Sequence, residues 1–222
     1  MLVSKTACNI GAVSLPNNRL QIETGFEQAC QEGAMAKVIV WNLMTLEGFF
    51  EGKEKWDLSF HGDAWGDELS ALSSEFGRKA GLLVFGRVTY EGMKAYWTTN
   101  EDEGEGEVKG FMNALPKLVA SRSLTTSDWN NTTVTADITG EITHRKAEAG
   151  KDIYVFGSAE LTESLLAAGL VDEIMIAVAP VTIGQGTPLF KPNAEKRHYA
   201  LIAARPLQNG TVILHYEVKP AA

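Results

Sequence analysis

Three junctions in the sequence join a short apolar run to a polar segment through glycine, serine or arginine. They occupy residues 85–91, 119–123 and 155–161. The free N–H groups of a helix start attract anions, and a glycine lets the backbone approach a ligand closely. Arginine adds a planar set of donors that suits phosphate. The junctions therefore predict a nucleotide site with a phosphorylated ribose, in which Arg87 and Arg122 bind phosphate.

The structural alternative is that these junctions are simply turns, since glycine and serine are common wherever a strand leads into a helix. One such junction would favour that alternative, but three in one chain, two of them with arginine, favour a binding site. The motifs G-x-G-x-x-G and G-x-x-x-x-G-K-[ST] are both absent from the sequence. Neither a Rossmann loop nor a P-loop therefore supports the nucleotide hypothesis.

The histidines offer no metal site, because no two of them are spaced as a ligand pair on a helix. They are His61, His144, His198 and His215. His61 is expected in an exposed loop, with a place beside a substrate cleft as the less favoured alternative. Trp56 and Trp97 could shape an aromatic pocket, but core positions are the expectation for both.

The elements that must position the junctions alternate along the chain. Apolar runs predict strands at residues 37–45, 82–85, 117–120, 131–135, 152–156 and 172–179. Helices are predicted at 64–79, 88–97, 140–150 and 158–168, and Asn209-Gly210 predicts a hairpin between 199–204 and 211–218. This order predicts an α/β fold with a mainly parallel central sheet, helices on both faces and a C-terminal antiparallel hairpin.

Composition excludes several classes of protein. The chain has 222 residues, 45% hydrophobic and 22% charged, which is ordinary for one globular domain and unlike a disordered chain or a coiled coil. The net charge is −8, and five acidic residues lie in the segment 99–108, which is expected to be a solvated loop. Nucleic-acid binding is disfavoured because it depends on clustered Lys and Arg. No apolar stretch is long enough to predict a membrane helix.

The two cysteines, Cys8 and Cys30, cannot form a disulfide framework, and residues 1–35 show no secretory signal. A cytoplasmic location is the expectation. Residues 1–35 are polar and weakly periodic, so they are predicted to be an N-terminal extension to a domain at 36–222. A helix that docks on a partner subunit is the alternative for the extension.

Several motifs in order resemble the dihydrofolate reductase-like superfamily. More narrowly, they resemble the C-terminal reductase domain of the bifunctional riboflavin-biosynthesis deaminase–reductases and its stand-alone relatives. The matching residues are 45–48, 85–91, 115–117, 121–122, 156–158, 170–174, 179–181 and 184–190. The resemblance covers about residues 36–218 and implies a dihydrofolate reductase-like fold and NADPH as the cofactor.

The resemblance also implies roles for particular residues. Ser121 and Arg122 would meet the 2′-phosphate of NADPH, and Thr45 would face the nicotinamide. The residues along the other phosphates would be Gly86, Arg87, Thr89, Gly157, Ser158, Ala159 and Leu161. The protein would position the cofactor against the acceptor and exclude water.

Two carboxylates are the catalytic candidates. Glu47 stands where the family's first loop usually has Asp, and Glu68 lies at the edge of the apolar stripe of the helix predicted at 64–79. A dihydrofolate reductase would need a carboxylate on its first helix, which favours Glu68 over Asp67. The alternatives are a loop salt bridge for Glu47 and a solvated helix position for Glu68.

The family default is a 5-amino-6-(5-phosphoribosylamino)uracil reductase-like activity on a small-molecule substrate. Residues 53–68 lack the arginine with which riboflavin-pathway reductases hold the ribose phosphate, and contain only Lys53 and Lys55 as basic residues. Dihydrofolate reductase and a non-catalytic nucleotide-binding module therefore remain alternatives. Relatives are often dimers, so a homodimer is expected, with 174–178 and the hairpin as the candidate interface.

Overall fold

The computed structural model describes residues 35–99, 106–148, 150–192 and 195–220. The predicted N-terminal extension, apart from Met35, lies outside these residues and stays a prediction, as does most of the acidic segment. No helix in the described ranges is both long and apolar enough to cross a bilayer.

An eight-stranded sheet forms the centre of the domain. Its strands are β1 (Val38–Met44), β3 (Ala80–Gly86), β4 (Lys117–Ala120), β5 (Thr132–Thr135), β6 (Asp152–Phe156), β7 (Glu173–Val178), β9 (Tyr199–Pro206) and β10 (Val212–Val218). Their order is β5-β4-β3-β6-β1-β7-β10-β9. The first six are parallel, and β10 runs antiparallel to both β7 and β9. The predicted mainly parallel sheet with a C-terminal hairpin is confirmed.

Helices cover both faces of the sheet. They are α1 (His61–Ala64), α2 (Asp67–Lys79), α3 (Arg87–Thr99), α4 (Gly106–Ala114), α5 (Ile138–Ala147) and α6 (Ala159–Ala167). Alternation along β1 divides the core, because successive side chains of a strand point to opposite faces. Trp41 packs in the cluster with Phe76 of α2, whereas Val40 packs in the cluster with Leu165 of α6.

Three local expectations are wrong. The helix predicted at 64–79 begins at Asp67, after the separate short α1. The loop predicted at 99–108 ends at Gly106, where α4 starts. A two-stranded sheet of β2 (Phe49–Glu51) and β8 (Thr187–Pro188) occupies two segments in which the sequence predicts no strand.

The sequence did not predict helix α4, because the helix contains two glycines, follows an acidic segment and has only a short apolar stripe. Val108 and Met112, four residues apart, are the buried side chains of this helix. The ring of Phe111 lies over Gly77 of α2, where a Cβ atom would come within 2.0 Å of it. Only a residue without a side chain lets α2 and α4 pack this closely.

Candidate functional site

The three polar junctions lie side by side at one edge of the sheet. Arg87, Ser121 and Gly157 each follow directly after β3, β4 and β6, which are neighbours in the order β4-β3-β6. The register pairs Gly86 with Ala120, and Phe85 with Phe156. Because the strands are parallel, their carboxyl ends meet at the same edge, which is where open α/β sheets bind ligands.

Two of the predicted glycines allow the starts of α3 and α6 to approach each other. A Cβ atom at Gly86 would lie 2.4 Å from the hydroxyl oxygen of Ser158, and one at Gly157 would lie 2.8 Å from Cγ2 of Thr89. Gly157 also has a φ of +58°, a conformation that suits glycine. The two helix N-termini therefore lie side by side and form a cradle, whose walls include the side chains of Ser158 and Thr89.

Ser158 begins α6 as predicted. Its hydroxyl accepts a hydrogen bond from the N–H of Leu161 at 3.4 Å, and Gly169 ends the helix region with a φ of +67°. Ser158 itself has a φ of +53°, which is strained for a residue with a side chain. The side chains of Ala159 and Leu161 are buried. These two residues can therefore offer a ligand mainly their backbone.

The two arginines of the junctions differ in what they contact. Arg87 is exposed and binds both carboxylate oxygens of Glu91 at 2.9 Å, four residues along α3. Arg122 is exposed, and no described residue forms a hydrogen bond or ion pair with it. The hydroxyl of Ser121 accepts from the N–H groups of Ser123 and Leu124, which shapes the turn that holds Arg122. Arg122 is thus the cation available to an anionic ligand.

The loop after β1 is fixed by Thr45 and Glu47. Thr45 is fully buried, and its hydroxyl accepts from the N–H of Phe49 at 3.3 Å. The Glu47 carboxylate accepts from the N–H groups of Ile183 at 2.6 Å and Gly184 at 3.0 Å. Glu47 therefore ties this loop to the loop after β7. These contacts favour a positioning role, and its catalytic role stays a prediction.

Glu68 is not brought together with the other candidates. Its carboxylate accepts from the N–H of Gln208 at 2.7 Å and lies 3.5 Å from the Arg205 guanidinium. Together with Leu207 and Asn209, it lines a small hollow between the start of α2 and the hairpin turn. The expected solvated position is thus only partly right, because the carboxylate is bound to the turn.

A cleft opens beside the cradle, on the face of the sheet that carries α2 and α3. It is shallow and open to solvent, with a cavity volume of about 70 Å³, which is small beside typical small-molecule sites. Its lining residues are Trp41, Asn42, Leu43, Phe50, Glu51, Trp56, Leu58, His61, Thr89, Met93, Phe156 and Gly157. Thr89 and Gly157 belong to both the cradle and the cleft, so the two are continuous.

Trp56, Glu51 and His61 are cleft residues that the sequence did not single out as site residues. The Trp56 indole packs on Gly92, where a Cβ atom would lie 2.3 Å from its ring. Trp56 also has a φ of +65°, and its backbone N–H donates a hydrogen bond to the Glu51 carboxylate. Strained residues often occur at functional sites. The core expectation is correct for Trp97, which is buried, but Trp56 lines the cleft.

The expectation of an exposed loop for His61 is wrong. His61 begins α1, is half-buried and lines the cleft, with its ring edge-on to Phe60 at 4.8 Å. Burial lowers the pKa of its imidazole to about 4. Its position depends on how an irregular segment folds over the sheet, and no periodicity in the sequence signals that fold.

The residues of the cradle and cleft fit a nucleotide cofactor. The glycines bring the N-termini of α3 and α6 close together, no described residue pairs with Arg122, and Asn42, which is buried, lines the cleft together with Gly157. The Nδ2 atom of Asn42 has no hydrogen-bond partner among the described residues. A buried donor left unpaired costs about 1–3 kcal/mol, so such atoms commonly mark a place that a ligand completes.

Comparison with known proteins agrees with this architecture. The chain is 27% identical over 184 residues to the uncharacterized protein YyaP of Bacillus subtilis, covering 81% of this chain and 94% of that one. A protein from Shewanella sp. PV-4 assigned to riboflavin biosynthesis superposes with a TM-score of 0.66 at 18% identity, over 83% of this chain and 99% of its own.

The dihydrofolate reductase of Schistosoma mansoni superposes with a TM-score of 0.54 at 12% identity, over 84% of this chain and 100% of its own. The protein thus has a dihydrofolate reductase-like fold, as the resemblance implied. Residues 36–213 match the RibD C-terminal domain. The chain belongs to the RibD C-terminal domain family.

Proposed function

We propose that the protein is an NADPH-dependent reductase of a small heterocyclic substrate. The observation that carries the proposal is the convergence of three strand ends on the cradle formed by the starts of α3 and α6, beside Arg122, with which no described residue pairs. Membership of a reductase-like family supports the same reaction class.

In this proposal the cradle holds the cofactor phosphates through the N-termini of α3 and α6. Gly86 and Gly157 let the two helix starts approach each other, and the side chains of Ser158 and Thr89 supply walls of the cradle. Arg122 would pair with the 2′-phosphate, and this pairing would give a preference for NADPH over NADH. When bound, NADPH supplies the hydride.

The chain's own residues would orient the acceptor and exclude water. Trp41, Trp56 and Phe156 provide aromatic surface in the cleft, and Glu51 and His61 are its titratable groups. Positioning of this kind can contribute several kcal/mol to the lowering of a barrier. Glu47 would act by holding the loop after β1 against the loop after β7.

Dihydrofolate reduction is the weaker candidate, because Glu68 is bound to the hairpin turn and does not line the cleft. The non-catalytic module differs from an enzyme only in turnover. Incubation with NADPH and a panel of pyrimidine, folate and quinone-like acceptors, followed by absorbance, separates the three. Turnover of at least one acceptor is expected. Tight NADPH binding without turnover would favour the module, and turnover confined to dihydrofolate would favour the alternative reductase.

Arg122→Ala tests the cofactor assignment. It should weaken NADPH binding by about 10- to 100-fold, as expected for the loss of charge-assisted hydrogen bonds, and should leave NADH binding nearly unchanged. Arg78→Ala, which removes an exposed arginine of α2 paired with Glu107, is the matched control. Equal weakening of NADPH and NADH would contradict the role at the 2′-phosphate.

A further inference from the structure

The cleft has an unusual charge for a site that would take a phosphorylated sugar. Among the described residues, its lining includes the carboxylate of Glu51 and neither lysine nor arginine. A phosphate needs cationic donors or several free N–H groups to offset its charge. The walls of the cleft are instead mainly aromatic and aliphatic.

The segment between β2 and α1 does not supply that missing charge. Lys53 and Lys55 are exposed and do not line the cleft. Residues 51–57, which include the last residue of β2, carry Glu51, Glu54 and Asp57, so three carboxylates accompany two ammonium groups there. A dianionic phosphate at this mouth would meet a net negative surface, which disfavours its binding.

His61 gives the cleft an uncharged hydrogen-bonding group in place of a cation. No described residue hydrogen-bonds to either of its ring nitrogens, and its surroundings keep the imidazole uncharged at neutral pH because burial lowers its pKa to about 4. A neutral imidazole has one donor and one acceptor nitrogen. That pair suits the amide-like edge of a heterocycle, and the rings of Trp41 and Trp56 offer surface for a planar group.

We infer that the cleft takes a planar heterocyclic acceptor that carries no phosphate group, and that the imidazole of His61 is its polar contact. The inference deepens the proposed reductase function and rests on it for the identity of the site. It separates this chain from reductases whose acceptor is a phosphoribosyl compound.

Two ligands that differ only in the phosphate test the inference. The full-length protein is titrated by calorimetry, in excess NADP⁺, with 5-amino-6-(ribosylamino)uracil and with its 5′-phosphate. The phosphate-free compound should bind about tenfold more tightly, because the phosphate would meet the carboxylates without a cationic partner. Equal or tighter binding of the phosphate, or binding of neither compound, would overturn the inference.

His61 variants test the polar contact. His61→Leu should weaken binding of the phosphate-free compound by about tenfold, whereas His61→Gln, which keeps a donor and an acceptor, should stay within about threefold. His144→Leu, at an exposed position of α5, is the matched control. Unchanged binding in His61→Leu would remove His61 from the site.

A separate titration with NADP⁺ alone keeps the two proposals distinguishable. Failure to bind NADP⁺ would contradict the reductase function whatever the heterocycle does. Normal NADP⁺ binding together with preference for the phosphorylated compound would leave the reductase function intact and reject only the phosphate-free acceptor.

Discussion

Polar groups at the two edges of the central sheet, where the parallel strands begin and where they end, differ in whether they have partners within the protein. At the amino ends of the strands, Glu173 is buried and accepts from Lys37 at 2.7 Å and pairs with His215 at 2.8 Å. Asp172 accepts from the N–H of Val38 at 2.8 Å and from Lys146 at 2.7 Å. These charged groups are matched within the protein.

At the carboxyl ends, several groups have no partner in the described part of the chain. They are the guanidinium of Arg122, the imidazole of His61 and the Nδ2 atom of Asn42. Two of the three described non-glycine residues with positive φ, Trp56 and Ser158, also lie at this edge. Thr132 Oγ1, at the amino end of β5, also lacks a partner among the described residues, so the contrast concerns charged and amide groups. Those at the amino-end edge are paired and stabilise the fold, whereas those at the carboxyl-end edge are open to a ligand.

Among the variants that test this contrast, Lys117→Met should have the largest effect on the free energy of unfolding. Lys117 begins β4, is 1% exposed, and donates to the carbonyls of Asn113, Leu115 and Asn130. Burial lowers the pKa of its ammonium to about 8, so it remains protonated at pH 7. The variant leaves three carbonyls without their donor and should lower the free energy of unfolding by about 3 kcal/mol.

The same variant should leave NADPH affinity unchanged, because Lys117 lies at the opposite edge from the cradle. Urea unfolding and a cofactor titration measure the two quantities. A variant as stable as the parent chain, or one that loses NADPH binding while folded, would break the division of the sheet into two functional edges.

The pH dependence of stability tests whether the cleft keeps His61 uncharged. Unfolding restores the His61 pKa from about 4 to its ordinary 6.5, so the unfolded chain binds the extra proton between these values. Stability is therefore full above pH 6.5 and falls as the pH drops towards 4. The loss attributable to His61 should be about 2–3 kcal/mol.

Carboxylates also contribute to the dependence of stability on pH, so the measurement compares the parent chain with His61→Gln. Burial raises the pKa of Asp152, and Glu173 has a lowered pKa despite its burial because His215 and Lys37 hydrogen-bond to it. Both carboxylates are unchanged in the variant, and Glu51 is the other titratable residue of the cleft. Parallel stability curves for the two proteins between pH 4 and 6.5 would show that His61 is not held neutral by its burial.

The sequence predicted the parts of the site that depend on local structure. Gly86, Gly157 and Ser158 were found because each follows an apolar run at the start of a helix. Glu68 was placed correctly near the start of a helix, but its partner Gln208 lies 140 residues away. Neither helical spacing nor propensity can foresee such a contact.

The cleft residues between β2 and α1 were missed for a related reason. Glu51, Trp56 and His61 lie in or beside a segment with little regular structure, so no period reveals which side chains turn inward. The conformation of Trp56 depends on the space that Gly92 leaves on α3. That information lies in tertiary packing, which a single sequence does not display.

Asn42→Leu has the smallest expected effect on the free energy of unfolding. It also tests most directly whether an unpaired group at the carboxyl-end edge serves a ligand. Because the Nδ2 atom of Asn42 is buried without a partner, an apolar side chain of similar size should raise the free energy of unfolding of the ligand-free protein by about 1 kcal/mol. If a ligand completes this site, the same variant should weaken binding of NADPH or of the heterocycle by about five- to tenfold.

Asn113→Leu is the matched control for that variant. The Asn113 amide donates to the carbonyls of Trp97 and Lys109 and accepts from the Trp129 indole at 2.7 Å. Its loss should therefore destabilise the protein by about 1–3 kcal/mol without altering ligand affinity. Thermal unfolding and ligand titration of both variants give the four values needed. If Asn42→Leu destabilises the ligand-free protein as much as Asn113→Leu and leaves both ligands bound as before, Asn42 serves the fold, and its unpaired amide no longer distinguishes the two edges of the sheet.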